Sequence, residues 1–254
     1  MIYVYAITAG SPAPQAMATV RGFDDAPLLA RGTDEVSAVY ADVAASPRRK
    51  RENALAHERV VEALMADRAV LPARFGTVLR NEAALDEVLA MNHERLAGGL
   101  ERVGNCVELG VRVLWQAEDT READTAGEPE PVPAGGESAG RAYLLARAAK
   151  ERQRLRTEAR AGELAANLNR LFRPCARDGV VRVLPTPRFV MAAAYLVPRD
   201  RVAEFRSRVE EAGAAFATLR LLCTGPWPPN HFVPELVLPS TAGDGARAVE
   251  VPRG

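Results

Sequence analysis

A chain of 254 residues is long for one compact domain and comfortable for two. Its 33 Lys and Arg balance 33 Asp and Glu, so the formal net charge is zero and the whole-chain basic signature of a nucleic-acid binder is excluded. With 48% hydrophobic and 26% charged residues it belongs with globular proteins and not with disordered ones.

From the N-terminus, residues 2–7 and 36–43 are short runs rich in Val, Tyr and Ala and are predicted to be buried strands. In residues 52–68, Leu55, His57, Val60, Val61, Leu64 and Met65 recur mostly at i, i+3, i+4, i+7 and predict an amphipathic helix. Residues 70–79 read as a strand interrupted by Pro72, which places the proline at a sheet edge or at the strand entry. Leu85, Val88, Leu89, Asn92 and Leu96 predict a second helix that closes at Gly98-Gly99. These elements make up an N-terminal α+β domain, residues 1–103.

The second domain, residues 104–238, opens with an alternating strand at 107–115. Residues 116–140 then carry Glu118, Asp119, Glu122, Asp124, Glu128, Glu130 and Glu137 against Arg121 alone, with three prolines among them, and read as an acidic mobile loop. Ser138 is placed to cap a long helix to about residue 173, with an apolar stripe of Leu155, Ala159, Leu164, Leu168, Leu171 and Phe172 ended by Pro174. Residues 141–177 hold nine arginines and Lys150, so a basic helix follows an acidic loop; it reads either as a docking surface for an acidic partner or as a solvated face neutralised by its neighbour. Residues 180–184 and 189–197 form a predicted hairpin around Pro185-Thr186-Pro187. Val202, Phe205, Val209 and Ala212 mark a helix at 199–213, and residues 216–223 a last strand.

Strand, helix, strand, strand, helix, strand is the order of a ferredoxin-like βαββαβ sandwich. A rival assignment makes residues 141–145 the first strand of that unit, but Ala146-Arg147-Ala148-Ala149-Lys150-Glu151 continues from them in strong helix formers. A proline-stiffened extended tail follows the last strand, and the Gly-rich residues 239–254 are expected to be disordered.

The first residues lack the positive region and apolar length of a secretory signal, and the longest apolar run, 189–197, is less than half of the roughly 20 residues a membrane span needs. Cys106, Cys175 and Cys223 are odd in number and far apart, as expected of reduced core thiols, so the chain reads as cytoplasmic. Phosphate-binding glycine loops, the nucleophile elbow and the zinc-helix motif are all missing. His57-Glu58 has no second His at i+4, and His57 reads as a core histidine with one hydrogen bond. Cys223 and His231 alone do not make a metal site. No enzymatic activity, cofactor or metal is expected.

Two stretches stand out. In Pro72-Ala73-Arg74-Phe75-Gly76-Thr77-Val78 one arginine interrupts an apolar run; a guanidinium buried there needs a partner. Arg74 is thus expected either in an internal ion pair that fixes domain packing or as a fixed cation offered to another protein. In Thr224-Gly225-Pro226-Trp227-Pro228-Pro229-Asn230-His231-Phe232, three prolines stiffen a segment carrying two rings, and Gly225 allows a sharp exit from the strand. This tail either folds back and cements the domains or presents Trp227 as an anchor for another protein. Arg74, Phe75, Gly76, Gly225, Pro226, Trp227 and Phe232 are therefore the candidate interaction or domain-interface residues, bordering an expected groove between the domains.

At these stretches the sequence resembles the gas vesicle protein F/L family (GvpL/GvpF). The match runs in family order through Tyr3-Val4-Tyr5-Ala6-Ile7, Ala56-His57-Glu58, Val60-Val61-Glu62, Val70-Leu71-Pro72-Ala73-Arg74-Phe75-Gly76-Thr77-Val78, Gly140-Arg141-Ala142-Tyr143-Leu144, Ala193-Ala194-Tyr195-Leu196-Val197 and Leu222-Cys223-Thr224-Gly225-Pro226-Trp227-Pro228-Pro229. It departs at Asn230-His231, where the family usually has a tyrosine and a small polar residue. The resemblance implies a two-domain α+β fold with a ferredoxin-like second domain. It also implies a non-enzymatic minor component or assembly factor of gas vesicles, located at the gas vesicle or in the cytoplasm. The implied partners are the hydrophobic shell protein and other accessory gas vesicle proteins, with no nucleic acid and no membrane. The competing expectation is a ferredoxin-like regulatory or nucleic-acid-binding module using the Arg-rich helix.

Overall fold

The computed structural model describes residues 1–116, 137–186 and 188–237. Most of the expected acidic loop, Pro187 of the predicted turn and the extension from residue 239 lie outside the described residues. The protein is a mixed helix and sheet structure with two antiparallel sheets, and the chain divides into two compact units. Among the described residues, unit 1 holds Met1–Gly104 together with residues 233–237, and unit 2 holds those between Asn105 and Phe232.

Unit 1 runs β1 (Ile2–Ala9), α1 (Pro14–Ala18), β2 (Leu29–Gly32), β3 (Val36–Asp42), α2 (Arg51–Leu64), β4 (Val70–Pro72), β5 (Val78–Leu79) and α3 (Glu82–Val103). Its sheet has the order β2-β3-β1-β4, with β5 also pairing β1. β1 is buried from Ile2 to Thr8, as a central strand covered on both faces must be. The single strand expected over 70–79 is instead two short ones. Pro72 does not interrupt it; Pro72 ends β4 in register with Ala6, and the break falls at residues 73–77. A proline is tolerated there because β4 lies at a sheet edge, where no ladder donor is required of it.

α3 begins at Asn81, whose side chain accepts a hydrogen bond from the Ala84 N–H at 3.0 Å. It does not close at Gly98-Gly99 but runs on to Val103. Gly99 has a packing role: a Cβ there would lie 3.1 Å from Leu71 Cδ1 and from Pro234 Cδ. Pro234 belongs to the returning tail, so residues 233–237 pack with unit 1, whereas the sequence reading had counted them with the second domain. Buried Asn92 holds this tail by donating from Nδ2 to the Val237 carbonyl and accepting at Oδ1 from the Val237 N–H, at 2.8 and 2.7 Å.

Unit 2 runs β6 (Cys106–Trp115), α4 (Glu137–Phe172), β7 (Asp178–Val183), β8 (Phe189–Pro198), α5 (Val202–Ala215) and β9 (Leu219–Trp227). Its sheet has the order β7-β8-β6-β9, antiparallel throughout. Residues 141–145 lie within α4, which removes the rival strand assignment. The core joins Leu109, Val111 and Val113 of β6 to Met191 and Tyr195 of β8 and to Phe205 and Val209 of α5. α4 contributes Ala161, Ala165, Leu168 and Phe172 to that core. Leu155 and Leu171 of the expected stripe are instead 51% and 43% exposed. Two of the four buried positions are alanine, and in an alanine-rich helix those two are hidden among residues chosen for helix propensity.

Candidate functional site

The Pro72–Val78 stretch folds as a turn on the edge of β1. The Thr77 N–H donates to the Arg74 carbonyl at 3.0 Å, closing a four-residue turn with Phe75 and Gly76 at its centre. Gly76 has φ +92 and nothing within 4 Å of where a Cβ would sit, so glycine is required by conformation and not by space. That is the demand of the third position of a type II turn. The turn is tied back to β1 on both sides, by Ala73 N–H to Tyr5 O at 2.9 Å and Val4 N–H to Thr77 O at 3.0 Å.

A buried relay fixes the same turn from beneath. His57 of α2 is 2% exposed. Its Nε2 is 3.0 Å from the Ala73 carbonyl, which can only accept, so Nε2 carries the proton and Nδ1 must accept. The Tyr3 hydroxyl, 3.0 Å from Nδ1, donates to it and accepts from the Gly76 N–H at 3.0 Å. Burial pushes the His57 pKa down to about 4 and the Tyr3 pKa up to about 12, so both stay neutral at ordinary pH. Tyr5, Phe23 and Phe75 pack with these two rings at centroid distances of 4.8 to 6.4 Å.

Arg74 therefore sits on a rigid support, but the internal ion pair expected for it is not formed. Its residue is exposed, and its guanidinium makes no hydrogen bond or ion pair among the described residues. The turn directs the side chain outward, where water meets its solvation need and no buried partner is required. The turn fixes the backbone of Arg74, and its side chain is open to solvent.

The second stretch lies in unit 2, at the end of β9. Gly225 has φ +108, and a Cβ on it would approach the Glu108 carbonyl to 2.7 Å, so conformation and space both exclude a side chain. Between the pairs Glu108–Trp227 and Gly110–Thr224, residues 225 and 226 stand opposite Leu109 alone, a one-residue bulge that re-aims the strand end. The Gly225–Pro226 peptide is cis, and the Gly225 carbonyl accepts from Arg206 at 2.6 Å. Beyond the bulge the two rings separate in role. Trp227 is 45% exposed, whereas Phe232 is 1% exposed.

Glu108 secures the turn that carries Phe232. Its residue is 5% exposed, and its two oxygens accept from the His231 backbone N–H at 2.9 Å and face His231 Nδ1 at 2.7 Å. Glu108 lies between Val107 and Leu109 on an alternating strand, and no local signal ties it to residue 231. The relay residues Tyr3 and His57 were also missed as a unit. The available signal was the Arg-Phe-Gly-Thr run itself, since Gly at the third position of a turn implies a hairpin-like tip whose ends need fastening.

Arg74, Phe75 and Gly76 thus share one turn of unit 1, while in unit 2 Gly225, Pro226 and Trp227 lie at the end of β9 and Phe232 in the turn after it. Each place carries an exposed large side chain, Arg74 in one and Trp227 in the other, on a stiffened backbone. Among the described residues no group of three His, Cys, Asp or Glu could hold a metal ion, and no helix is long and apolar enough to cross a membrane.

The model of the gas vesicle synthesis protein GvpL/GvpF family matches residues 1–234. The chain is 33% identical to gas vesicle protein L of Streptomyces sp. (strain CB03234) over 217 residues, covering 83% of this chain and 75% of that protein. It is 28% identical to gas vesicle protein F2 of Halobacterium salinarum, covering 84% of this chain and 82% of that protein. The crystal structure of GvpF from Anabaena sp. PCC7120 matches with a TM-score of 0.72 at 20% identity, covering 92% of this chain and 96% of that one. GvpF from Microcystis aeruginosa matches at 0.70 and 19%, covering 92% and 99%. At such identities the two structures speak for a common fold.

Proposed function

The chain belongs to the GvpL/GvpF family of gas vesicle synthesis proteins, and from that membership we propose that it is a non-enzymatic accessory protein of gas vesicles. In this reading it is a minor structural component or assembly factor, at the gas vesicle or in the cytoplasm, and it binds the hydrophobic shell protein and other gas vesicle proteins while the vesicle forms. The observation that carries the proposal is the extent of the match, residues 1–234, which embraces both distinctive stretches instead of one motif. The finer description of unit 2 as ferredoxin-like is supported by its strand-helix-strand-strand-helix-strand order and its β7-β8-β6-β9 sheet.

The geometry supports a protein that acts by contact. A shell subunit that exposes apolar surface before assembly is prone to aggregate, and a folded adaptor shields or delivers it. Arg74 and Trp227 suit such contacts, since Arg and Trp dominate binding energy when a partner desolvates them and both are carried here on a fixed backbone. Co-purification of the shell protein with the full chain is the test. The native chain retains it, and Arg74→Ala or Trp227→Ala, each with unchanged melting temperature, lowers recovery by about tenfold. Full recovery with both variants would remove the two side chains from the binding site. Failure of the native chain to retain the shell protein would sink the binding reading.

A further inference from the structure

α4 is much longer than its contribution to the core. Its buried residues begin at Ala161, and from Gly140 to Arg160 nearly every residue is exposed. This outer part is about 30 Å long at 1.5 Å per residue. The packed end supplies the helical nucleus, so the outer turns need only propagate, which their Ala, Arg, Leu and Glu residues do well.

The outer turns have a second apolar stripe. At about 100° per residue, Leu144, Ala148, Leu155 and Ala159 fall within about 60° of one another, roughly 120° around the helix from the core-facing Ala161, Ala165, Leu168 and Phe172. Leu144 and Leu155 are 63% and 51% exposed. Residues 140–160 also carry seven basic residues against Glu151 and Glu158, in a chain whose net charge is zero. Both glutamates are engaged by Arg154, at 2.7 and 3.2 Å, and they lie on one flank of the stripe. Arg152 and Arg156 border the other flank.

We propose that this stripe is a docking surface for an acidic amphipathic α-helix of another protein, with leucines of the partner over Leu144 and Leu155 and carboxylates against Arg152 and Arg156. A second copy of this chain fits less well: it would bring the same basic surplus to the seam, and its two nearby glutamates are already held by Arg154. Nucleic acid would leave the leucines facing phosphate, and the stripe has only two large apolar side chains with which to enter a lipid surface. The inference goes beyond the proposed role and does not depend on the partner being a shell protein.

The test uses the full chain and a labelled synthetic peptide of about four heptads, with Leu at the seam positions and Glu on the flanks. A scrambled peptide of equal composition, a short single-stranded RNA and phosphatidylserine vesicles serve as the other probes. The ordered peptide binds with salt-dependent affinity, and scrambling it weakens binding by about tenfold or more. The double variants Leu144→Ala/Leu155→Ala and Arg152→Gln/Arg156→Gln, which keep helix propensity, each weaken it by a similar factor. Equal binding of the scrambled peptide, unchanged binding by either variant, or no binding at all overturns the proposal. So does tighter binding of RNA or vesicles, or a dimer of the free chain that the leucine variant dissociates.

Discussion

His57 ties a pH dependence to one buried ring. In the native chain it takes up a proton only near pH 4, whereas in the unfolded chain it does so near its ordinary 6.5. Between those values the unfolded state binds more protons, so the stability His57 contributes is present above pH 6.5 and is lost as pH falls toward 4. The size is roughly 3 kcal/mol at most. Chemical denaturation of the native chain and of His57→Gln across pH 7 to 4 checks this, the variant losing that part of the slope. Two glycines separate conformation from space at the same scale. Gly76→Ala costs about 1–2 kcal/mol through its positive φ alone. Gly225→Ala adds a backbone clash with the Glu108 carbonyl and costs about 2–4 kcal/mol. Equal costs in urea titrations would mean that the strand end yields more easily than the 2.7 Å approach implies.

At the scale of elements, the end of β9 and the turn after it divide labour between two rings. Phe232→Ala removes a 1% exposed side chain and lowers stability by about 3–5 kcal/mol. Trp227→Ala, at a 45% exposed ring, changes stability by less than about 1 kcal/mol while weakening partner binding. Thermal melts of the two variants give this contrast directly. The same contrast shows what sequence reading reaches. The periodicity of α2 and α3 and the alternation of β6 were legible because large apolar residues mark one face. β2, four residues reading Leu-Ala-Arg-Gly, carries no such mark and was missed. α4 was found, and Leu164, Leu168 and Phe172 of its expected stripe do meet the core; Ala161 and Ala165, which continue that buried face, were not singled out, since alanine marks no face in a helix rich in it. Arg74 was expected to need a partner because a turn inside an apolar run reads as continuous strand; among the described residues its guanidinium is exposed and makes no ion pair. Asn92 was legible as a helix position; its partner, Val237, lies 145 residues away and no local pattern announces it.

For the whole molecule, the division at Gly104 and Val233 means that unit 2 is inserted into unit 1. Every residue of its core cluster lies between the two junctions, within residues 105–232, as do the four strands and two α-helices of its described residues. A fragment of residues 105–232 therefore unfolds cooperatively by itself. Residues 1–104 alone lack the tail that Gly99 and Asn92 accommodate and are less stable than the same fragment joined to residues 233–237 by a short Gly-Ser linker. Calorimetry of the three fragments checks both statements; a linker fragment no more stable than residues 1–104 would deny the tail a structural role.

The latch between Asn92 and Val237 also sets a timetable. A chain emerges from the ribosome N-terminus first, and domains fold as units during that emergence. Here the second-made unit has every residue it needs before the first-made one does, because the tail that completes unit 1 is synthesised after the whole of unit 2. The outermost shell of the chain's order is thus the last to close: the guest is finished while the host still waits for five residues at its far end, and any partner that engages unit 1 during synthesis meets it unlatched.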